Sequence, residues 1–369
     1  MGMTELQPKT SIRSLVSYRP EVPALPEGRI IRLSVNEGAL GPSPAAVNAL
    51  QEIGGKLHRY PEQIDRQLVD AIASVHDLDP ERILPSNGSD ELIGLLTTAY
   101  LEDGDEAIYT QYGFLVFPQA IRIAGGVPVR VDDDELTVSV DNILDAISPR
   151  TRIIFLANPN NPTGTMIARS DVERLIDTTP KSVIIVLDSA YAEYIAKDDP
   201  NYTDGASFVE KHDNVVMLRT FSKIYGLGSL RLGWGYFPPD ILAVLASIRG
   251  PFSVNTAAAV AGRAAMLDRA FVEKSLAHNF TWMPRIQESI RQAGFEPLPS
   301  RANFFLIRFA SDAEAAAAHA FMQGRGILLR QMAPYGLPSC LRMSLGDDEE
   351  MEIVTAAFKD FAQSRTVSS

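Results

Sequence analysis

Cysteine is nearly absent from this sequence. Cys340 is the single cysteine among 369 residues, so the chain cannot form an internal disulfide. Apolar runs of membrane-spanning length are also lacking, and the first residues, Met1 to Leu6, are too polar for the core of a signal peptide. Because such a composition is typical of a reducing compartment, we expect a cytoplasmic protein.

Basic residues are fewer than acidic ones. Lys and Arg number 34 and Asp and Glu 46, which gives a net charge of −12 and a pI near 5.0. A nucleic-acid-binding surface needs a basic face, so we expect neither nucleic acid nor a membrane as a partner. We interpret the acidic run Asp132–Glu135 as a solvated turn, and we expect no metal site.

Short apolar runs, by contrast, recur through the first two thirds of the chain. The runs that predict strands are Ala107–Thr110, Val127–Val131, Ile153–Ala157, Val183–Leu187 and Val215–Leu218. Helical patterns separate several of them, such as Phe114–Ala124, Asp141–Ile147 and Ser170–Ile176. Strands that are apolar on both faces and joined by helices indicate an α/β protein, with a mostly parallel sheet covered on both sides.

The composition changes beyond Pro238. The chain becomes alanine-rich and helical, and it then alternates short strand patterns with helices, which predicts a smaller α+β unit. The proline-rich N-terminus lacks periodicity and is interpreted as an arm. We therefore expect an arm over residues 1–44, a large domain over 45–270 and a small domain over 271–369.

Polar residues follow three of the predicted strands. They are Asn158 to Asn161, Asp188, and Thr220 to Lys223. In parallel sheets ligands bind at the carboxyl ends of the strands, so these residues should open on one edge. Asp188 directly follows a buried run, where a carboxylate needs a cationic partner.

The stretch Arg219–Arg231 contains hydroxyl, amine and guanidinium groups close together in sequence, and it is the strongest candidate for a reactive site. Thr220, Ser222 and Arg231 would bind a phosphate through hydroxyl donors and a guanidinium. Lys223 would then be an amine beside that phosphate, rather than the solvated surface lysine that is the ordinary alternative. A Schiff-base lysine next to a phosphate pocket suggests pyridoxal 5'-phosphate.

A second anion-binding element precedes the predicted sheet. Gly88 and Ser89 form a glycine turn that opens onto a helix, where free N–H groups favour an anion. An ordinary helix cap with Ser89 and Asp90 in the first turn is an equally simple interpretation.

These motifs together resemble the histidinol-phosphate aminotransferase family, within the pyridoxal-phosphate-dependent aminotransferases related to aspartate aminotransferase. The motifs in this order are Tyr60-Pro61, Asn87-Gly88-Ser89-Asp90-Glu91, Asn158-Pro159-Asn160-Asn161-Pro162-Thr163-Gly164, Asp188 with Tyr191, and the lysine stretch. The resemblance implies the fold of that superfamily (fold type I), with a three-layer αβα large domain and a smaller α+β domain. It also implies a homodimer whose active sites are shared across the interface.

The resemblance implies a role for each site residue. Lys223, Asp188 and Tyr191 would be catalytic, with Asp188 keeping the cofactor ring nitrogen protonated. The residues that would bind the cofactor are Tyr60, Gly88, Ser89, Asp90, Tyr112, Asn161, Asp188, Tyr191, Thr220, Ser222, Lys223 and Arg231. The residues that would bind substrate are Tyr18, Asn36, Arg330 and Arg342. Tyr60 and Tyr18 would act from the partner subunit.

Two of these roles have a simple physical explanation. Tyr112 would stack on the cofactor ring, although Tyr109 is a competing candidate. Asn161 and Tyr191 would donate to the phenolate oxygen of the cofactor, which lowers the pKa of its imine with Lys223.

In the resembled family the reaction transfers an amino group from glutamate to imidazole acetol phosphate, in histidine biosynthesis. The sequence departs from the usual Asn-Glu-Asn-Pro motif at Asn36-Glu37-Gly38-Ala39, and Pro334–Pro338 is not universal in the family. An aromatic amino acid aminotransferase is therefore the main alternative. More distant alternatives are a decarboxylase of an amino-acid phosphate and a non-catalytic cofactor-binding module.

Overall fold

The computed structural model describes residues 6–13, 15, 28–196 and 199–366. The helices are α1 Thr10–Arg13, α2 Pro44–Glu52, α3 Arg66–His76, α4 Ser89–Tyr100, α5 Val116–Ala124, α6 Val140–Asp145, α7 Arg169–Thr178, α8 Ala206–Val209, α9 Pro239–Ile248, α10 Thr256–Leu267, α11 Arg269–Gln292, α12 Asp312–Gly324 and α13 Asp348–Thr366. The strands are β1 Ile31–Arg32, β2 Ile83–Ser86, β3 Glu106–Thr110, β4 Val127–Val131, β5 Thr151–Ala157, β6 Ile184–Asp188, β7 Val215–Thr220, β8 Gly233–Tyr236, β9 Glu296–Pro297, β10 Phe304–Arg308, β11 Ile327–Leu328, β12 Arg330–Gln331 and β13 Cys340–Ser344.

A seven-stranded sheet forms the centre of the molecule, in the order β2-β8-β7-β6-β5-β3-β4. The pairs among β3, β4, β5, β6 and β7 are parallel, whereas β8 is antiparallel to both of its neighbours. The expected mostly parallel sheet is therefore confirmed.

Both faces of this sheet are covered. Along β6, Ile185 and Leu187 belong to one apolar core, while Ile184 and Val186 belong to another. Because alternate residues of a strand face opposite sides, the two cores lie on the two sides of the sheet. Helices complete each core, which gives the three-layer α/β arrangement expected from the apolar runs.

Short polar residues fix where several helices begin. Ser43, Asp65, Asn255, Asp268 and Ser311 each accept a hydrogen bond from a backbone N–H in the first turn of the helix that follows. Such caps satisfy donors that have no partner within the helix, and each contributes about 1 kcal/mol.

A second sheet, of four antiparallel strands in the order β12-β13-β10-β9, lies in the last third of the chain. Its core is separate from the two cores of the large sheet and includes Phe305, Met343 and Phe358. The apolar run from Ile327 to Arg330, which reads as one strand, is divided: β11 pairs with β1, and β12 pairs with β13.

The N-terminal segment is more closely packed than the expected arm. β1 pairs in parallel with β11, and Ile31 and Leu33 are buried in the core of the four-stranded sheet. The reason lies in the alternation of Ile31, Arg32 and Leu33, which lets a short strand bury two apolar side chains while Arg32 stays exposed. The expectation of an unpacked segment up to residue 44 is therefore wrong for this part of the chain.

No helix in the described part of the chain has the length and apolar character needed to cross a lipid bilayer.

Candidate active site

A cavity of about 500 Å³ lies at the carboxyl ends of the parallel strands. Because β5, β6 and β7 are parallel neighbours, the residues that end them come together at one edge of the sheet. The cavity is lined by Ser34, Val35, Asn36, Ser89, Asp90, Phe114, Leu115, Val116, Gln119, Ala157, Pro159, Asn161, Asp188, Ala190, Tyr191, Thr220, Ser222, Lys223, Arg231, Arg330, Tyr335 and Arg342.

Lys223 lies in the turn after β7, with its amine in the cavity. Its Nζ donates to the carbonyl oxygen of Val35 at 3.2 Å and lies 5.7 Å from the ring centre of Tyr191. Burial, with the positive charge of Arg342 as the next cause, lowers the pKa of the amine from 10.5 to about 8. A larger fraction of the amine is therefore neutral near neutral pH, as a nucleophile requires.

Asp188, the last residue of β6, lies in the cavity wall and is 5% exposed. Its Oδ1 accepts from the backbone N–H of Ala190 at 3.2 Å, and no ion pair with another described residue satisfies its charge. Burial, reinforced by the nearby Asp90, raises the pKa of this carboxyl to about 7. A cation that entered the cavity would stabilise the ionised form.

The N-terminus of α4 and the turn after β7 form an anion cradle. Gly88 has φ +79°, a conformation that favours glycine, and α4 starts at the next residue, so that free N–H groups face the cavity. Arg231 crosses from the other side: its Nη1 lies 3.4 Å from Ser222 Oγ and its Nη2 lies 3.3 Å from Asp90 Oδ2. Backbone donors, hydroxyls and a guanidinium are the groups that bind phosphate.

Close backbone contact holds this cradle against the sheet. A Cβ atom on Gly233, in β8, would lie 2.4 Å from the backbone nitrogen of Ser89 and 2.7 Å from the carbonyl carbon of Gly88. Only glycine lets β8 approach the start of α4 this closely.

Tyr191 presents a hydroxyl donor to the cavity. The side chain is 3% exposed, and its hydroxyl oxygen accepts from Asn36 Nδ2 at 2.9 Å. Burial raises the pKa of the phenol, so that the proton stays on the oxygen. Among the described residues no acceptor is recorded for that proton, which leaves it available to a bound group.

Two arginines line the side of the cavity that belongs to the second sheet. Arg330 on β12 and Arg342 on β13 are cross-strand partners. The guanidinium of Arg342 donates to Asn161 Oδ1 and, at 2.8 Å, to the carbonyl oxygen of Ser34. Two guanidinium groups at one wall favour the binding of a carboxylate or a phosphate.

The structure brings most of the sequence-predicted residues to this one cavity. Those in the lining are Asn36, Ser89, Asp90, Asn161, Asp188, Tyr191, Thr220, Ser222, Lys223, Arg231, Arg330 and Arg342, with Gly88 in the adjacent turn. Tyr18 lies outside the described residues.

Tyr112 is not among the described residues that line the cavity, and its predicted stacking role stays a prediction. Its backbone is fixed in a turn: the N–H donates to Asp133 Oδ2 at 3.1 Å, and the carbonyl accepts from Asn160 Nδ2 at 3.1 Å. Phe114, two residues later, does line the cavity.

Tyr60 also lies away from the cavity of its own chain. It is 84% exposed, and its ring stacks on that of Phe252, with the centroids 5.0 Å apart and 27° between the planes. Within the described part of one chain, Tyr60 therefore lies away from the anion cradle.

Sequence reasoning missed several residues of the wall. Phe114, Val116 and Gln119 were assigned only to a helical pattern, and Tyr335 only to a variable segment. The one available signal was position, because Phe114 closely follows the carboxyl end of β3.

Comparisons with known proteins agree with this geometry. Residues 28–358 match the family model "Aminotransferase class I and II". A histidinol-phosphate aminotransferase of Dinoroseobacter shibae is 46% identical over 97% of this chain and 99% of its own length. A second, of Paramagnetospirillum magneticum, is 44% identical over the same shares of the two chains.

Solved structures show the same fold. The structure of histidinol-phosphate aminotransferase from Sinorhizobium meliloti, in complex with pyridoxal-5'-phosphate, matches with a TM-score of 0.88 at 26% identity and covers 98% of this chain and 99% of that one. Aspartate aminotransferase from Thermus thermophilus matches with a TM-score of 0.78 at 22% identity, over 90% of this chain and 91% of the other. The chain belongs to the class I and II aminotransferase family.

Proposed function

We propose that this protein is a pyridoxal-phosphate-dependent aminotransferase that interconverts histidinol phosphate and 2-oxoglutarate with imidazole acetol phosphate and glutamate. The proposal is supported by one cavity that contains a lysine of lowered pKa, a buried carboxylate that forms no ion pair with another described residue, and an anion cradle. The substrate assignment is supported by relatives of 42–46% identity that are named histidinol-phosphate aminotransferase.

The cavity residues fit pyridoxal phosphate in three respects. Asp188 needs a cation, which a protonated pyridine nitrogen supplies. The cradle of Ser89, Ser222 and Arg231, with Thr220 beside it, suits the phosphate. The hydroxyl of Tyr191, held by Asn36, has a proton to donate to the phenolate oxygen.

When bound, the cofactor supplies an electron sink for the carbanion formed at the substrate α-carbon. Lys223 Nζ would bind the aldehyde carbon of the cofactor, and as a neutral amine it would move the proton at the substrate α-carbon as a general base. Asp188 stays ionised and holds the proton on the ring nitrogen. We assign the stacking contact to Phe114 in place of Tyr112.

Arg330 and Arg342 would bind the two substrates in turn. Glutamate brings a carboxylate and the other substrate a phosphate, and a planar guanidinium fork accommodates either. Tyr335 and Gln119 also line the cavity.

A homodimer would complete the site. Exposed Tyr60, stacked on the partly exposed Phe252, has the character of an interface residue, and we infer that it and Tyr18 act in the partner's cavity. We also infer a division into an arm, a large domain and a small domain, with the last starting near α11, and a cytoplasmic location.

Steady-state specificity constants test the substrate assignment. With 2-oxoglutarate as the acceptor, kcat/KM for histidinol phosphate should exceed that for phenylalanine or tyrosine by at least about tenfold. A phosphate offers the two arginines more negative charge and one more acceptor oxygen than a carboxylate does, and one additional charge-assisted hydrogen bond contributes about 1.5 kcal/mol. A preference for phenylalanine or tyrosine would make the protein an aromatic aminotransferase instead.

Mixing inactive variants tests the shared site. Lys223→Ala and Tyr60→Ala chains, unfolded together and refolded, should recover activity, because each hybrid dimer contains one site with both native residues. Activity no higher than that of the separate variants would mean that Tyr60 does not act across an interface.

A further inference from the structure

A buried ion-pair network lies behind the cavity. Arg219 is 3% exposed, and its guanidinium donates to Glu193 Oε1 at 2.6 Å and to Asp204 Oδ2 at 2.8 Å. Its Cζ also lies 5.6 Å from the ring centre of Trp234. Because Arg219 is buried, displacing either carboxylate would leave its charge poorly compensated, and the arginine therefore holds both carboxylates in place.

Of the two residues that bind Arg219, one belongs to the segment around Tyr191 and the other contacts it through its backbone. Glu193 lies in the 3₁₀ turn that starts directly after Tyr191. The carbonyl oxygen of Asp204 accepts from the hydroxyl of Ser189, two residues before Tyr191, at 2.7 Å. Arg219 therefore holds the Tyr191 segment from both sides.

The same arginine is one residue away from the cavity. It precedes Thr220, the last residue of β7, and successive side chains of a strand face opposite sides of the sheet. Thr220 lines the cavity, while Arg219 binds its partners on the other side. The strand that leads to Lys223 is thereby tied to the segment that carries Tyr191.

We propose, on the basis of the aminotransferase function proposed above, that Arg219 is a positioning residue: through Glu193 and Asp204 it sets the place of the Tyr191 hydroxyl relative to the cofactor carried by Lys223. Arg219 does not line the cavity. Its effect on the reaction passes through Tyr191.

The visible absorbance of the lysine-bound cofactor gives a readout of this position. A hydrogen bond from Tyr191 to the cofactor phenolate favours the deprotonated link, so its loss should raise the pH midpoint of the absorbance change by about one unit. Tyr191→Phe should show this rise directly.

The test variant is Arg219→Met combined with Glu193→Gln, which removes two opposite charges together and leaves only the partly exposed Asp204. Its midpoint should rise as in Tyr191→Phe, kcat should fall by about tenfold, and KM for glutamate should change by less than about threefold. When the two substitutions are added to Tyr191→Phe, they should raise the pH midpoint of the absorbance change by less than about a third of a pH unit, because both changes remove the same hydrogen bond.

Arg325→Met is the control, since it breaks an exposed ion pair with Asp360 and should leave the midpoint unchanged. If the double variant does not fold, Glu193→Gln alone carries the same prediction with a smaller rise. An unchanged midpoint in a folded variant, or a shift that adds fully to that of Tyr191→Phe, would overturn the role of Arg219. A wild-type protein without any pH-dependent visible band would contradict the proposed function instead.

Discussion

Asp188→Asn should change how the stability of the cofactor-free protein depends on pH. Burial and the nearby Asp90 raise the pKa of Asp188 from 3.8 to about 7 in the folded chain. The folded state therefore binds this proton more tightly than the unfolded state. The stability contributed by the protonated group is complete below about pH 4 and is lost as the pH rises through about 7.

The size of the effect follows from the shift. One pKa unit corresponds to about 1.4 kcal/mol, so ionised Asp188 destabilises the fold by about 4 kcal/mol at high pH, of which about 3 kcal/mol develops between about pH 5 and about pH 8. The Asp188→Asn protein has no proton to lose. Its free energy of unfolding, relative to wild type, should improve by about 3 kcal/mol across that range.

Urea unfolding of both cofactor-free proteins at the two pH values measures this difference. Asp360→Asn, which alters an exposed pair with Arg325, is the matched control and should show little change. If the difference in the free energy of unfolding between Asp188→Asn and wild type were the same at both pH values, the raised pKa of Asp188 would be contradicted.

Two further predictions concern the cavity wall and the cradle. Phe114→Ala should weaken pyridoxal phosphate binding about fivefold in a fluorescence titration, because stacking contributes about 1 kcal/mol where the ring faces the cofactor. Tyr112→Ala should stay within about twofold. A larger loss for Tyr112→Ala than for Phe114→Ala would return the stacking role to Tyr112. Gly233→Ala should lower the free energy of unfolding by at least about 2 kcal/mol, because the added Cβ would meet the backbone of Ser89. Gly94→Ala is the control. It lies in α4 with open space around its Cβ position, and the change should be neutral or stabilising by up to about 1 kcal/mol. Equal stability of these two glycine variants in thermal unfolding would contradict the close approach of β8 to α4.

Much of the fold could be predicted because the large sheet is buried on both faces. A strand covered on both sides is a continuous apolar run, so Ile153–Ala157 lies within β5 and Val215–Leu218 lies within β7. The polar residues that end such runs, Asp188 and Thr220 among them, are placed at one edge by the parallel topology itself.

The pairing of short segments far apart in sequence could not be predicted in the same way. The two residues of β1 pair with β11, nearly 300 positions later, and two-residue strands carry too little periodicity to identify. Ile327–Arg330 reads as one strand, yet Leu329 separates two strands that belong to different sheets.

Two local features were also missed, for electrostatic and conformational reasons. Asp133 lies in an acidic run that reads as solvated, but its carboxylate accepts from the backbone of Tyr112, and burial raises its pKa to about 6. That contact fixes the turn that leaves Phe114, and not Tyr112, in the cavity wall. A run of acidic residues in the sequence does not indicate which one of them binds the backbone of a neighbouring turn.

The most direct test of the central claim is to reduce the cofactor-loaded protein with borohydride and map the labelled peptide by mass spectrometry. Reduction should fix one cofactor per chain, on Lys223, and the label should be lost in Lys223→Ala together with transamination. A label on another lysine, or transamination that persists in Lys223→Ala, would contradict the account.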